Sequence, residues 1–196
     1  MVSFHKRKLV GGLEEYMNAI ECIKGRRSIR TFTEEPVSHE LLEEIIDIAR
    51  FAPSWKNTQI ARYVAVEGSM KEEVASKCFK AWVGNEEMVR KAPMVIALTY
   101  IKNRSGFERD GSFSTSKEDR WQNFDAGIAA QTFCLAAHEK GLGTVILGIF
   151  DEHEAEKVMN IPEDRGVAAF IVIGHPDCNP DAPKRKEVSD LITYLS

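Results

Sequence analysis

Three arginines and a serine fall within five residues, at Arg26, Arg27, Ser28 and Arg30. A guanidinium group presents a planar fork of donors that matches phosphate or carboxylate oxygens, and a nearby serine hydroxyl adds a further donor. This arginine segment, residues 26–30, therefore predicts a site for an anionic ligand of nucleotide size. From these residues alone a second interpretation stays open, because basic side chains beside a helix C-terminus are favourable without any ligand.

Two further segments carry polar or basic groups. The polar loop, residues 53–59, reads Pro-Ser-Trp-Lys-Asn-Thr-Gln and comes directly before a strand-like run. Near the C-terminus, Lys184, Arg185 and Lys186 form a basic run. Taken alone, this run is either a solvated charged surface or a second phosphate clamp that acts with Arg26.

Known chemical motifs are not found elsewhere in the sequence. Residues 141–144 read Gly-Leu-Gly-Thr, but their spacing differs from a dinucleotide fingerprint and they follow a helical pattern instead of a strand. The sequence contains no phosphate-binding P-loop, zinc-protease motif or nucleophile elbow. The five histidines lack metal-ligand spacing, and the four cysteines form no C-x-x-C pair. We therefore expect no metal site, and we expect reduced cysteines in a cytoplasmic protein.

Length and composition narrow the class of protein. A chain of 196 residues with 43% hydrophobic and 29% charged residues fits a single domain over residues 1–196. A formal net charge of −4 argues against a broad nucleic-acid surface. No signal peptide follows the basic residues near the N-terminus, and no stretch is apolar enough to span a bilayer. These features predict neither a nucleic-acid nor a membrane partner.

Hydrophobic periodicity predicts the elements that must position these groups. Continuous or alternating apolar runs predict strands over residues 63–66, 94–100, 144–150 and 167–173. Helical spacing and capping residues predict helices over residues 13–25, 38–52, 69–81, 86–91 and 121–140, another that begins at Asp151, and a closing one over 188–195. In the third of these helices, Ser69 and Glu72 form a capping-box pattern. Because helices and strands roughly alternate, this pattern leaves a doubly wound parallel sheet open.

One helix and three polar or terminal segments are unusual. The helix over residues 121–140 is apolar on nearly every side, which predicts either a central helix or one that faces a second subunit. Residues 102–120 form a long polar loop, and residues 1–12 and 184–196 form an N-terminal arm and a basic C-terminal tail. We expect the long loop to be either a cover for a cleft or a mobile surface loop.

The arginine segment, the Ala-Pro-Ser-x-x-Asn-x-Gln pattern of residues 52–59 and the Gly-Leu-Gly-Thr run occur in the order found in one known family. Together with Ile-Gly-His-Pro at 173–176 and the basic tail, they resemble the nitroreductase family of FMN-dependent oxidoreductases over residues 13–196. The resemblance implies an α+β fold with a mostly antiparallel four- to five-stranded sheet enclosed by helices. It also implies an intertwined homodimer that holds FMN at two interfacial sites, which overrides the doubly wound alternative.

The resemblance assigns cofactor-binding roles to several groups of residues. Arg26 and Ser28, with Arg27 between them, match positions that hold the FMN phosphate and ribityl chain, and Arg30 matches a cation near flavin N1 and O2. The remaining matches are the loop contributed by the partner subunit, an amide at the pyrimidine ring, the strand whose backbone faces the flavin, and a second phosphate anchor. They are Pro53, Ser54, Trp55 and Asn57 for the loop, Asn85 for the amide, Ile146, Leu147 and Gly148 for the strand, and Arg185 with Lys186 for the anchor.

The implied chemistry is hydride transfer from NAD(P)H through FMN to nitroaromatic, quinone or similar acceptors by a ping-pong mechanism. Such chemistry is carried by the flavin, so it needs no protein nucleophile or base, and Arg30 and the Gly148 backbone would tune the flavin. Two departures from the family pattern are the bulky Trp55 and the Ile60-Ala61 pair where many members have Pro-Trp. The alternatives are a flavin-binding protein for sensing or storage, and a basic-patch protein that binds an acidic ligand.

Overall fold

The computed structural model describes residues 9–10, 13–14 and 17–195. Its centre is a sheet of four strands, β3 (Ala61–Val66), β4 (Met94–Ile101), β5 (Gly143–Leu147) and β6 (Arg165–Gly174), in the order β3-β4-β6-β5. Every neighbouring pair is antiparallel. The predicted α+β class with an antiparallel sheet is confirmed, and the doubly wound arrangement is excluded. A separate short hairpin joins β1 (Leu9–Val10) to β2 (Leu13–Glu14).

Helices cover both faces of the sheet. The described residues form α1 (Ala19–Gly25), α2 (His39–Ala49), α3 (Gly68–Cys78), α4 (Val83–Lys91), α5 (Arg120–Glu139) and α6 (Glu152–Val158). One apolar cluster packs α2 and α5 against one face, and a second packs α3, α4 and α6 against the other. The sheet is therefore the middle layer of three.

The β4 strand shows why its sequence is apolar without alternation. Met94, Ile96 and Leu98 face the α2 and α5 layer, whereas Val95 and Ala97 face the opposite layer. Successive side chains of a strand point to opposite faces, so a strand covered on both faces has no polar side. The prediction of a buried strand here is confirmed.

Two of the predicted helix starts are also confirmed. The Ser38 hydroxyl accepts a hydrogen bond from the Leu41 N–H at 3.1 Å, and the Asp151 carboxylate accepts one from the Glu154 N–H at 3.0 Å. These side chains satisfy backbone donors that the first turn of a helix leaves free. α2 and α6 therefore begin where their capping residues predict.

Three helix predictions are wrong in part. The first helix begins at Ala19 with Asn18 as its cap, and Leu13 lies in β2, while Tyr16 lies outside the described residues. α3 begins one residue before the predicted capping box and has no side-chain cap. The predicted closing helix is only a short 3-10 turn, Val188–Asp190, in an exposed tail. A short helix without packing partners is marginal in water, which explains this last difference.

α5 is not buried on every side within one chain. Asn123, Phe124, Gly127 and Gln131 recur at helical spacing and are exposed. Full burial, as predicted, is therefore wrong for a single chain. The same stripe leaves open the other expectation, that α5 faces a second subunit.

Candidate functional site

The arginine segment lies against the edge strand β5. Ser28 bridges Thr144 in parallel, and the Ile29 N–H donates to the Thr144 carbonyl at 3.0 Å. A β-carbon at Gly143 would lie 2.8 Å from the Ile29 side chain, closer than packed carbons approach. Glycine in the Gly-Leu-Gly-Thr run therefore permits the close contact between this segment and the sheet.

The three arginines differ in what they contact. Nη1 of Arg27 donates to the carbonyls of Lys24, Gly25 and Arg26 at 2.6, 3.2 and 3.0 Å, so it closes the C-terminus of α1. Arg30 is exposed, and among residues 17–195 its Nη1 donates only to the Ser28 carbonyl, at 3.3 Å. The half-buried Arg26 guanidinium has neither a hydrogen bond nor a carboxylate partner in the part of the chain that the structure describes. The interpretation that requires no ligand thus accounts for Arg27, but it does not account for Arg26, whose charge has no anionic partner among residues 17–195.

His138 lies at this same end of the molecule, although no sequence pattern had singled it out. It lies in the last turn of α5, where its Nε2 would be 3.1 Å from a β-carbon at Gly25. Burial, and then the nearby guanidinium groups of Arg26 and Arg27, lower the pKa of His138 below its ordinary value. Burial alone would lower this pKa, but the two guanidinium groups add positive charge at this place, as an anion site requires.

The outer edge of β5 leads away from the arginine segment. Backbone groups alternate in direction along a strand, so the N–H and C=O of Ile146 point outward, as those of Thr144 do. No described residue pairs with the N–H and C=O of Ile146. The Ile146 side chain is 44% exposed, Leu147 is buried, and the space around Gly148 is open. At about 3.3 Å per residue, Thr144 and Gly148 are about 13 Å apart.

The predicted amide lies at the far end of this edge. Asn85 on α4 is only 9% exposed, and its Nδ2 donates to the Ile149 carbonyl at 3.3 Å. The structure therefore brings Asn85 next to Gly148, with the arginine segment at the opposite end of the same strand. This edge offers a cation at one end, and at the other it offers backbone groups that no described residue pairs with, beside the Asn85 amide.

The polar loop is held by a dense hydrogen-bond network. The Trp55 N–H donates to Oδ2 of Asp125 at 2.9 Å, and the Ser105 hydroxyl donates to the same oxygen at 2.5 Å. Thr58 Oγ1 lies 2.7 Å from Ser105 Oγ, and the Gln59 N–H donates to Ser54 Oγ at 2.9 Å. Asp125 and Ser105 were not singled out by the sequence, because their partners come from distant segments.

The backbone and the aromatic contacts of this loop are equally constrained. Lys56, Asn57 and Gln59 adopt left-handed conformations with φ of 45°, 56° and 50°. The Trp55 ring packs against Trp121 at 4.6 Å between centroids, and Lys56 Nζ lies 2.8 Å from a carboxylate oxygen of Glu108. Contacts within the chain therefore define the shape of the loop.

Beside the loop is a cavity of about 300 Å³. Its walls come from the end of α2, the start of β3 and the first half of α5. Pro53 and Ser54 line it together with Tyr63, and burial raises the pKa of that tyrosine to about 12. The cavity lies on the β3 side of the sheet.

One chain does not bring the arginine segment and the polar loop together. The segment lies at the β5 edge of the sheet, whereas the loop leads into β3 at the opposite edge. On α5, His138 lies beside the arginine segment and Asp125 contacts the polar loop. These two residues are thirteen positions apart, or about 20 Å along the helix axis. Arg185 and Lys186 lie in the exposed tail, and among residues 17–195 nothing hydrogen bonds to their side chains.

The described residues contain neither a metal site nor a membrane-spanning helix. No group of histidine, cysteine and carboxylate side chains there is arranged to hold a metal ion. None of the helices described above is both long and apolar enough to cross a membrane.

Comparison with known proteins gives a consistent result. The model of the Nitroreductase family matches residues 23–175. An NADPH-flavin oxidoreductase of Vibrio harveyi is 30% identical over 172 residues, which cover 86% of this chain and 70% of that protein. An FMN reductase [NAD(P)H] of Bacillus subtilis is 29% identical over 189 residues, which cover 90% and 74%.

Solved structures share the fold. A putative nitroreductase from Desulfovibrio desulfuricans in complex with FMN superposes with a TM-score of 0.73 at 26% identity, covering 93% of this chain and 99% of that one. The NADPH:FMN oxidoreductase of Vibrio harveyi complexed with NAD+ gives a TM-score of 0.75 at 25% identity, covering 92% and 78%.

Proposed function

This chain belongs to the nitroreductase family, and we propose that it is an FMN-dependent oxidoreductase that passes hydride from NAD(P)H to nitroaromatic, quinone or similar acceptors. The observation that carries the proposal is the outer edge of β5. Arg26, which has no anionic partner among residues 17–195, lies at one end, and the open Gly148 beside the buried Asn85 amide lies at the other. A phosphate at the first end and a flavin ring at the second fit this spacing.

Each residue of the edge has a defined task. Arg26 pairs with the phosphate, and the Ser28 hydroxyl holds the adjoining ribityl chain. Arg30 is the cation nearest the ring, and outward N–H groups at Ile146 and Gly148 donate to ring nitrogens or oxygens. Bound FMN supplies the hydride chemistry, so the chain needs only to bind, orient and tune it.

We propose that the site is completed by a second copy of the chain. The polar loop lies at the far edge of the sheet from the arginine segment, so Pro53, Ser54, Trp55 and Asn57 serve the site of the partner subunit. Exposed apolar residues in the helices or just beyond a helix end support a large contact between copies. They include Ile20 at 65%, Ile23 at 58%, Phe51 at 77% and Phe124 at 58% exposure.

The tail and the compartment complete the proposal. Arg185 with Lys186 forms the second phosphate anchor, reached when the exposed tail lies on the other subunit. NAD(P)H and the acceptor occupy one cleft in turn, which gives ping-pong kinetics. The four free cysteines, three of them buried, agree with a reducing cytoplasmic location.

The visible spectrum of the purified protein tests this function. We expect a flavin absorption near one FMN per chain that bleaches under anaerobic conditions when NADH or NADPH is added, and that returns with a quinone or a nitroaromatic. A flavin that neither nucleotide reduces would indicate a storage or sensing role instead. A colourless protein that takes up no added FMN would refute the proposal.

A further inference from the structure

We propose that Asp125 is a positioning residue that joins the polar loop to the 102–120 loop and so shapes the flavin site before FMN binds. The inference rests on the proposed function. In this role Asp125 touches neither flavin nor substrate, and the 102–120 loop supports the polar loop.

The carboxylate of Asp125 is committed to two loops at once. It is 4% exposed on α5, and its Oδ2 accepts both the Trp55 N–H and the Ser105 hydroxyl. Ser105 is fully buried, and its hydroxyl also contacts Thr58. A buried carboxylate is costly unless donors compensate it, so this geometry persists because both loops supply donors.

The polar loop needs such an external support. Three non-glycine residues, Lys56, Asn57 and Gln59, adopt left-handed backbone conformations. Conformations of this kind persist only where surrounding contacts over-determine them. The hydrogen bond that the Trp55 N–H donates to Asp125 fixes Trp55, the residue immediately before the first of the three.

The long loop is held through the same carboxylate. Besides Ser105, it contributes Glu108, which pairs with Lys56 at 2.8 Å. Trp121, just after the loop, packs on Trp55. The 102–120 loop therefore supports the polar loop through these contacts. A substitution at Asp125 should disturb both loops.

The experiment compares three variants of the full-length protein. Asp125→Ala removes the acceptor, whereas Asp125→Asn keeps one oxygen, which suffices because both donors use the same atom. Val74→Ala is the control, since it truncates a fully buried side chain on the opposite face of the sheet. Hydrogen exchange of the Trp55 amide is measured on FMN-free protein, and the FMN dissociation constant by fluorescence titration.

We expect faster Trp55 amide exchange and an FMN dissociation constant raised about tenfold for Asp125→Ala, because a loop that is correctly shaped a tenth of the time weakens apparent binding by that factor. Asp125→Asn and Val74→Ala should stay close to wild type in both measurements. If Asp125→Ala does not fold, Ser105→Ala, which removes one donor, is measured in its place, with a smaller change in the same direction expected.

Three results would overturn the inference. Unchanged amide exchange in Asp125→Ala would mean that the tether is absent. Faster exchange with an FMN affinity equal to that of Val74→Ala would mean that the tether does not position the site, while the proposed function stands. Equal losses in Asp125→Asn and Asp125→Ala would point to charge instead of the hydrogen bonds. Failure of the wild type to bind FMN would refute the proposed function instead, and the exchange measurement would still test the tether.

Discussion

The arginine segment and the polar loop lie at opposite edges of the sheet, and they are stabilised in different ways. The loop makes side-chain hydrogen bonds to α5 and to the long loop, and its backbone is constrained at three left-handed residues. The segment is attached to β5 by its backbone, while the Arg26 guanidinium has no partner among residues 17–195. Contacts within the chain shape the polar loop, whereas the arginine segment keeps a charge at Arg26 that has no partner among residues 17–195.

This difference indicates how each half would act on a ligand. An unpaired cation contributes through charge, so its effect depends on the ligand phosphate and on salt. A preshaped loop contributes through fit, because the cost of ordering is already met when the protein folds. The predictions below separate these two contributions.

The largest expected effect is that of Arg26→Ala. Loss of the phosphate partner should weaken FMN binding by roughly 2–4 kcal/mol, about 30- to 900-fold. Riboflavin, which lacks the phosphate, should bind nearly as before. Fluorescence titration of FMN-free protein measures both constants. Arg109→Ala, at an exposed arginine of the long loop, is the matched control, and equal losses for the two flavins would contradict the assignment.

A mixed dimer tests whether the two halves meet between subunits. One chain carries Arg26→Ala and the other carries Asp125→Ala, each with its own affinity tag. If each site combines the segment of one chain with the loop of its partner, one of the two sites contains no substitution and binds FMN with wild-type affinity. Titration should then give one tight site per dimer. If both halves came from the same chain, every site would carry a substitution and no tight site would remain.

Arg30→Ala should act on the flavin and leave its retention largely intact. Reduced flavin carries negative charge near N1, so loss of a nearby cation should lower the midpoint potential. For an exposed arginine the lost stabilisation is about 1 kcal/mol, or about 20 mV for a two-electron couple. Spectroelectrochemical titration measures the shift. Arg27→Ala, whose side chain closes α1, should leave the potential unchanged, and an unaltered potential in Arg30→Ala would refute its role.

The smallest effect concerns the pH dependence of stability at His138. Burial and the guanidinium groups lower the folded-state pKa of His138 below 6.5, so the unfolded chain takes up a proton first as the pH falls. Stability should therefore decline below about pH 6.5, and His138→Gln should reduce that decline. A bound phosphate would raise the pKa of His138, so saturating FMN should also reduce it.

Melting temperatures between pH 5.5 and 7.5 test this prediction. The exposed His153 supplies the control substitution His153→Gln, which should keep the wild-type slope. Identical slopes for wild type and His138→Gln would show that folding does not lower the pKa of His138.

Local signals in the sequence were sufficient for much of the fold. Ser38 and Asp151 cap their helices as predicted because a cap depends on residues three positions away. The unbroken apolar run of β4 predicted a strand covered on both faces. Sheet direction did not follow from this pattern, and the antiparallel expectation came from the family resemblance.

Some residues of the candidate site were predicted from the sequence, and others became evident only in the structure. Arg26 and Ser28 were singled out by residue type and motif, and Asn85 by the family resemblance; the structure places all three along one strand edge. Asp125, Ser105 and His138 were missed. Their roles depend on neighbours more than ten positions away along the chain, which no spacing rule reports.

The sequence by itself determined where charge, turns and apolar faces occur, because these depend on residue type and on neighbours a few positions away. Only the tertiary structure decided that the Arg26 guanidinium has no partner among residues 17–195, and that one oxygen of Asp125 holds two loops. Such outcomes depend on which distant groups come within hydrogen-bonding distance. That distance is set by the packing of α5 against the sheet.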